Sequence, residues 1–309
     1  MTELVRALPL ILGAISLAIP FIAIVWLVAG KSHDRVTYLL KVLSSFTWIL
    51  FVFLAIPWGF GNYYLRYILS GIFVVLFMVS VYKTWSHKFW VRKGFSFYLG
   101  TIYILIGLGL GLILNFWVIR GYWYSGDPVA LESPFGKGKY VVIQGGNSGV
   151  TNFFHHYFKV QKYRYAIDVV KVDNLGFRAS QFLPDSLQAY RIYGDTLYSP
   201  CNGTIVSVVR DEAENEIGVL NYENPAGNNV VVRCGEVNVL TGHLREGRVF
   251  VKEGDTVKSG QPLGEVGNSG YSIEPHLHMQ AYQLDSAGEY IAIPMLINGR
   301  FPVMNSLIR

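Results

Sequence analysis

Two neighbouring runs, Gly264-Glu-Val-Gly-Asn-Ser-Gly270 and Pro275-His276-Leu-His278-Met, decide how this chain is read. A turn rich in Gly, Asn and Ser leads into a segment in which one residue separates two histidines. On a β-strand side chains alternate faces with period two, so His276 and His278 point the same way and both rings reach one metal ion or one bound substrate. The flanking turn and apolar residues predict a strand here.

Short segments of the same character lie upstream: Tyr140-Val-Val-Ile, Tyr165-Ala-Ile-Asp-Val-Val, Gly203-Thr-Ile-Val-Ser-Val-Val, Asn229-Val-Val-Val-Arg and Asn238-Val-Leu-Thr. Turn signals at Asn202-Gly203, Pro225-Ala-Gly227 and Glu253-Gly254-Asp255 separate them. This pattern predicts an all-β antiparallel domain, sandwich or barrel-like, over residues 123–309. The stretch Pro184–Tyr193 reads as a surface loop, and no long amphipathic helix is evident there.

The first 122 residues are of a different kind. Four apolar stretches, roughly 7–30, 36–60, 64–82 and 95–122, each supply the ~20 residues that span a hydrocarbon core as a helix. The first is longer than the ~7–15-residue core of a signal peptide and three more follow it, which predicts an uncleaved helix. Lys41 lies within the second and reaches the interface by snorkelling if it sits near a helix end. Trp48, Trp58, Tyr63, Tyr64, Trp117, Tyr122 and Trp123 suit aromatic belts at the two membrane surfaces. Gly107 and Gly111 form a Gly-x-x-x-Gly pair that permits close helix contact. No array of intramembrane acidic residues marks an ion path.

Loop charge sets the expected orientation. Lys31 and Arg35 lie in the first loop and Lys83, Lys88, Arg92 and Lys93 in the third, against Arg66 near the second and Arg6 at the N-terminus. The positive-inside rule puts the first and third loops in the cytoplasm, with both termini and the C-terminal domain outside the cell membrane. The whole chain of 309 residues is 51% hydrophobic and carries a net charge of +5 on only 15% charged residues. With no Lys/Arg stripe, that balance suits an acidic surrounding rather than nucleic acid.

The ordered blocks Ser199-Pro-Cys-Asn-Gly203-Thr-Ile-Val, Gly227-Asn-Asn-Val-Val-Val, Gly242-His243-Leu, Val251-Lys-Glu-Gly-Asp-Thr-Val-Lys-Ser-Gly-Gln-Pro-Leu-Gly264, Gly267-Asn-Ser-Gly270 and Pro275-His276-Leu-His278 resemble the lysostaphin-type (LytM-like) zinc metallopeptidases of bacterial cell walls. The resemblance spans roughly 160–282 and leaves the membrane half unmatched. It implies a small antiparallel β-fold with a zinc at the floor of a groove. It further implies that Asp168 and His278 bind the metal, and that His243 and His276 orient water, move a proton or stabilise an oxyanion. The Val251–Leu263 block taken alone also resembles biotin and lipoate carriers, but a carrier needs a modifiable Met-Lys pair and none is present.

One position departs from the family pattern. The remaining family ligand is a histidine four residues before the aspartate, and here that residue is Arg164, a permanent donor that cannot bind a metal. In Asn152-Phe-Phe-His-His-Tyr157, either His155 or His156 can return beside Asp168 through a turn; the resemblance to variants with Asn-x-His-Tyr favours His156. Cys201 and Cys234 both lie in the β-rich part, where a disulfide and two buried thiols are both open readings. The function implied is a membrane-anchored, zinc-dependent endopeptidase that hydrolyses peptide bonds of peptidoglycan, with the bilayer as its other partner. The alternative is a non-catalytic relative that binds cell wall or regulates another hydrolase, the usual ligand having been lost at Arg164.

Overall fold

In the computed structural model, residues 2–29, 32, 34–85, 87–89, 91, 95–153 and 163–308 are described. The chain forms two compact units. One is made of Leu10–Ile56 and Tyr64–Ile119; in the other, Arg120–Arg309 is joined by Met1–Pro9 and the short connection Pro57–Tyr63.

Helices α1 (Thr2–Ala29), α2 (Arg35–Ala55), α3 (Leu65–Thr84) and α4 (Phe95–Arg120) supply the first unit. The Asp34 carboxylate caps α2 by accepting the Thr37 N–H at 2.8 Å, which satisfies an otherwise unpaired donor of the first turn. The helix stops at Ala55, short of the expected residue 60. Pro57 disfavours helical geometry in the residue before it, and Ile56 is extended at φ −85°, ψ 131°. Helices α2, α3 and the Tyr98–Arg120 part of α4 are long and apolar enough to cross a membrane. Among the described residues there are therefore three candidate spans, not four. Helix α1 itself runs over 28 residues, of which Gly13–Ala29 forms a shorter apolar helix among the described residues.

The Gly107/Gly111 pair is used within the chain. Trp48 Nε1–H donates to the Gly107 carbonyl at 3.1 Å, Gly111 lies against Thr47, and Asn115 Nδ2–H donates to the Thr47 carbonyl at 2.8 Å. Absent side chains let α4 approach α2 closely enough for these bonds. Lys41 is buried, with Nζ 3.3 Å from Ser32 Oγ and 5.4 Å from the centre of the Trp26 ring.

Among the described residues thirteen strands follow: β1 (Val129–Leu131), β2 (Lys139–Gln144), β3 (Ile167–Val172), β4 (Thr196–Tyr198), β5 (Gly203–Val209), β6 (Asn228–Cys234), β7 (Val237–Val249), β8 (Thr256–Val257), β9 (Pro262–Val266), β10 (Leu277–Leu284), β11 (Tyr290–Ile293), β12 (Met295–Ile297) and β13 (Leu307–Ile308). Of these, β1 and β12 pair separately, and the other strands form one sheet with the path β13-β2-β3-β10-β7-β6-β5-β8. All pairs in that sheet are antiparallel, as the short alternating segments predict. Val142, Ile167, Val169, Val230, Leu277 and Met279 belong to its core. Pro184–Tyr193 is mainly irregular, with a 3-10 turn at Leu187–Ala189 and a buried Tyr190.

The connection Pro57–Tyr63 was expected to present Trp58 and Tyr63 to a membrane surface; both are buried instead. The Trp58 N–H donates to Asn305 Oδ1 at 3.1 Å. Gly59 lies so close to Ile143 and Val170 that a Cβ there would come within 2.6 and 3.0 Å of them. These partners are remote in sequence, and local composition carries no signal of them.

Cys201 and Cys234 form a disulfide with Cα atoms 5.9 Å apart. The bond closes a separation of 33 residues, for which chain entropy gives ~3–4 kcal/mol of stabilisation. Reduction, or the double substitution Cys201→Ser/Cys234→Ser, is therefore expected to lower the stability of the β-rich unit by about that amount, measured by denaturant unfolding followed through near-ultraviolet circular dichroism.

Candidate metallopeptidase site

Strand register brings the site together. His278 on β10 is paired with Asp168 on β3 and with Gly242 on β7. Three segments remote in sequence thus meet at one level of the sheet. Asp168, His243, His276 and His278 are all buried. The rings of His243 and His276 are 4.7 Å apart by centroid, and those of His243 and His278 are 5.6 Å apart.

His243 adopts φ 61°, a left-handed conformation that costs a non-glycine residue energy and persists only where its surroundings enforce it. Its N–H donates to the Ala226 carbonyl and its carbonyl accepts the Gly267 N–H, each at 2.9 Å. Its Nδ1 lies 2.8 Å from the Ser269 carbonyl. A carbonyl can only accept, so Nδ1 carries the proton and Nε2 keeps its lone pair. The Gly267–Gly270 turn is thereby a support for His243. Gly227, at φ 58°, passes so close to this turn that a Cβ would come within 2.5 Å of Ser269.

His276 repeats the pattern. Its Nδ1–H donates to the Glu274 carbonyl at 2.8 Å, and its Nε2 lies 3.7 Å from Asp168 Oδ1. Glu274 is itself held in a buried ion pair: Arg178 Nε and Nη2 donate to its two carboxylate oxygens at 2.7 and 2.9 Å. The third arm of that guanidinium, Nη1, donates to the Phe60 carbonyl.

For His278 the tautomer matters most. Nδ1 lies 3.0 Å from Asp168 Oδ1 and Nε2 lies 3.2 Å from Gln280 Oε1. With the proton on Nδ1 the ring donates to the carboxylate; with the proton on Nε2 it donates to Gln280, and Nδ1 and Asp168 Oδ1 stand side by side as two potential ligand atoms. An imidazole nitrogen and a carboxylate oxygen are donors of the type that zinc takes, and a fixed second ring nitrogen is the usual support of a ligand histidine. The chemistry of the pair therefore fits a zinc ion.

Among the described residues no group of three His, Cys, Asp or Glu side chains converges as a complete ligand set. His155 and His156 lie outside the described residues. Arg164 is exposed, and its Nε donates to Asn147 Oδ1 at 2.9 Å. Burial, followed by the neighbouring His276 and His278, pushes the His243 ring well below its ordinary pKa. It is neutral near pH 7, with the Nε2 lone pair available for a hydrogen bond.

Two contributors escaped the sequence reading. Gln280 continues the alternation of His276 and His278, so period two was a signal for it. The Arg178–Glu274 pair joins residues 96 positions apart and had no local signal.

A buried, histidine-rich cluster thus lies beside Asp168 in the antiparallel sheet. Residues 188–291 match the model of peptidase family M23, and the chain carries a domain of that family. The match includes His243, His276 and His278, and Asp168 precedes it. A zinc-containing peptidase from Vibrio cholerae is similar at 19% identity and a TM-score of 0.32, over 53% of this chain and 39% of its own. The chain thus spans about two fifths of that peptidase. The catalytic domain of lysostaphin, an antimicrobial peptidase from Staphylococcus simulans, is similar at 23% identity and a TM-score of 0.26, over 41% of this chain and 74% of its own. A point mutant of the catalytic domain of EnpA, a prophage-encoded M23 protein from Enterococcus faecalis, is similar at 19% identity and a TM-score of 0.28, over 55% of this chain and 93% of its own.

The Arg178 and Glu274 side chains are each only 4% exposed. Removing one partner of such a pair leaves a buried charge, at a cost of ~3–5 kcal/mol. Arg178→Gln is accordingly expected to destabilise the protein by about that much. The double variant Arg178→Met/Glu274→Leu, which buries no lone charge, should recover most of the loss in the same unfolding titration.

Proposed function

We propose that this protein is a membrane-anchored, zinc-dependent endopeptidase that hydrolyses peptide bonds of peptidoglycan outside the cell membrane. The observation that carries this reading is the Asp168–His278 pair: a carboxylate oxygen and a ring nitrogen held 3.0 Å apart beside two further histidines whose Nδ1 atoms are both tied to backbone carbonyls. Peptidases of family M23 are typically zinc endopeptidases acting on peptidoglycan.

Asp168 and His278 would hold the zinc, with His156, or else His155, as the third ligand in place of Arg164. When bound, zinc supplies Lewis acidity, polarising a carbonyl and bringing the pKa of water down to ~7. The rest falls to the chain. His243, neutral and with a free Nε2 lone pair, takes the proton of the attacking water. His276, held by Glu274, presents its Nε2 to the same space, where it stabilises the developing charge or returns the proton to the leaving amine. Burial excludes bulk water and strengthens these interactions.

Several observations support a position outside the membrane. The Cys201–Cys234 disulfide suits an oxidising compartment. With cationic loops around residues 31–35 and 83–94 held inside, crossings by α2, α3 and α4 put the β-rich unit outside whether or not α1 crosses. Only the side of the N-terminus depends on α1.

Full-length protein in detergent is expected to carry about one zinc per chain and to cleave peptidoglycan fragments in a chelator-sensitive manner. Asp168→Ala and His278→Ala should lose the metal. His243→Ala should retain it and lose at least ~100-fold in kcat, read by mass spectrometry of released peptides. Replacing both His155 and His156 tests the third ligand: unchanged zinc content would sink that assignment. A metal-free protein that still binds peptidoglycan would replace the enzyme reading with the wall-binding one.

A further inference from the structure

The loop after β3 is unlike the rest of the β-rich surface. Leu175, Phe177, Phe182 and Leu183 are 72%, 41%, 61% and 56% exposed. Between Asn174 and Pro184 the one ionisable residue is Arg178, and it is buried against Glu274. The solvent face of this loop is thus uncharged, and four exposed apolar side chains share it with the polar Asn174, Ser180 and Gln181, a combination that suits a contact surface with a polar rim.

The loop is also held in shape. Asp173 Oδ1 accepts the N–H groups of Leu175 and Phe177 at 2.9 and 3.0 Å. The Gly176 carbonyl accepts the Tyr63 N–H at 2.9 Å, and Asn62 Nδ2–H donates to the Leu175 carbonyl at 2.8 Å. Asn62 and Tyr63 lie just before α3, which begins at Leu65. Hydrogen bonds therefore tie the apolar loop to the chain just before a candidate span starts. A second exposed segment, Tyr122, Trp123 and Tyr124, closely follows Arg120, where α4 ends. By loop charge, both span ends emerge on the same side.

We infer that Leu175, Phe177, Phe182 and Leu183 form a bilayer-contacting surface, seated in the interfacial layer of the outer leaflet. The inference rests on the reading of α2, α3 and α4 as membrane spans. Its chemistry is that of interfacial insertion: a preformed, uncharged apolar loop buries side chains ~5–10 Å into the boundary between headgroups and acyl chains, and aromatic rings favour that depth. The peptidase domain is then held to the membrane by its own loop as well as by its chain connections.

The protein has two cysteines and both are in the disulfide, so an introduced cysteine is a unique thiol under non-reducing conditions. Leu175→Cys, Phe182→Cys and the comparison variant Leu284→Cys would each be labelled with the fluorophore NBD in the full-length protein. Leu284 is 54% exposed, at the end of β10. Each would be reconstituted into phosphatidylcholine/phosphatidylglycerol vesicles containing lipids with a nitroxide at a shallow acyl position. Labels at 175 and 182 should shift to the blue and be quenched by the nitroxide; the label at 284 should do neither. In vesicles that carry the protein through flotation, water-like emission at 175 and 182 overturns the inference while leaving the spans intact. A blue shift without nitroxide quenching also overturns it, by showing a protein contact. Failure to float removes the membrane reading itself and this surface with it.

Discussion

The site depends on one pairing register, in which His278 of β10 stands opposite Asp168 of β3 and Gly242 of β7. Side chains alternate along a strand, so a slip of one residue would turn His278 or Asp168 to the other face and separate the two side chains. The core resists such a slip. Leu277 and Met279 flank His278, Ile167 and Val169 flank Asp168, and all four are buried in the same core. Apolar burial, which has no chemical interest in a metal, thereby fixes the two polar atoms at 3.0 Å.

Register alone does not aim His243. Its ring is set by the left-handed turn immediately after Gly242, and the backbone that enforces this turn comes from Ala226 and Gly267. Ser269 fixes the ring and also binds its surroundings: its hydroxyl donates to the Leu244 carbonyl at 2.8 Å and accepts the Asn228 N–H at 2.9 Å. Gly227 is needed for the close approach of these two turns. The glycine-rich run therefore acts through backbone positions, and the chemistry lies in the histidine that it supports.

This explains which parts were legible from sequence. The strands, the H-x-H face and the turn glycines are local patterns of period and residue type, and the structure keeps them. Asp168, His243, His276 and His278 were singled out through the family resemblance of the blocks that hold them, and the fold brings all four into one buried cluster. Residues 57–63 were misread as the end of a span and an aromatic belt because apolar side chains suit lipid and protein interior equally. What separates the two outcomes is Pro57, which ends α2, and partners such as Asn305 that lie far along the chain.

Arg178 shows how the misread segment bears on the site. Its three arms make bonds in two directions, to the Phe60 carbonyl of the connection and to Glu274. Glu274 in turn accepts the Nδ1–H of His276 through its backbone carbonyl. A planar fork is suited to this task, because it holds both carboxylate oxygens and a carbonyl in one rigid geometry, which the single ammonium of lysine does not do. The connection between α2 and α3 is thus more than a link between helices: its Phe60 carbonyl is one fixed point from which the orientation of His276 is built.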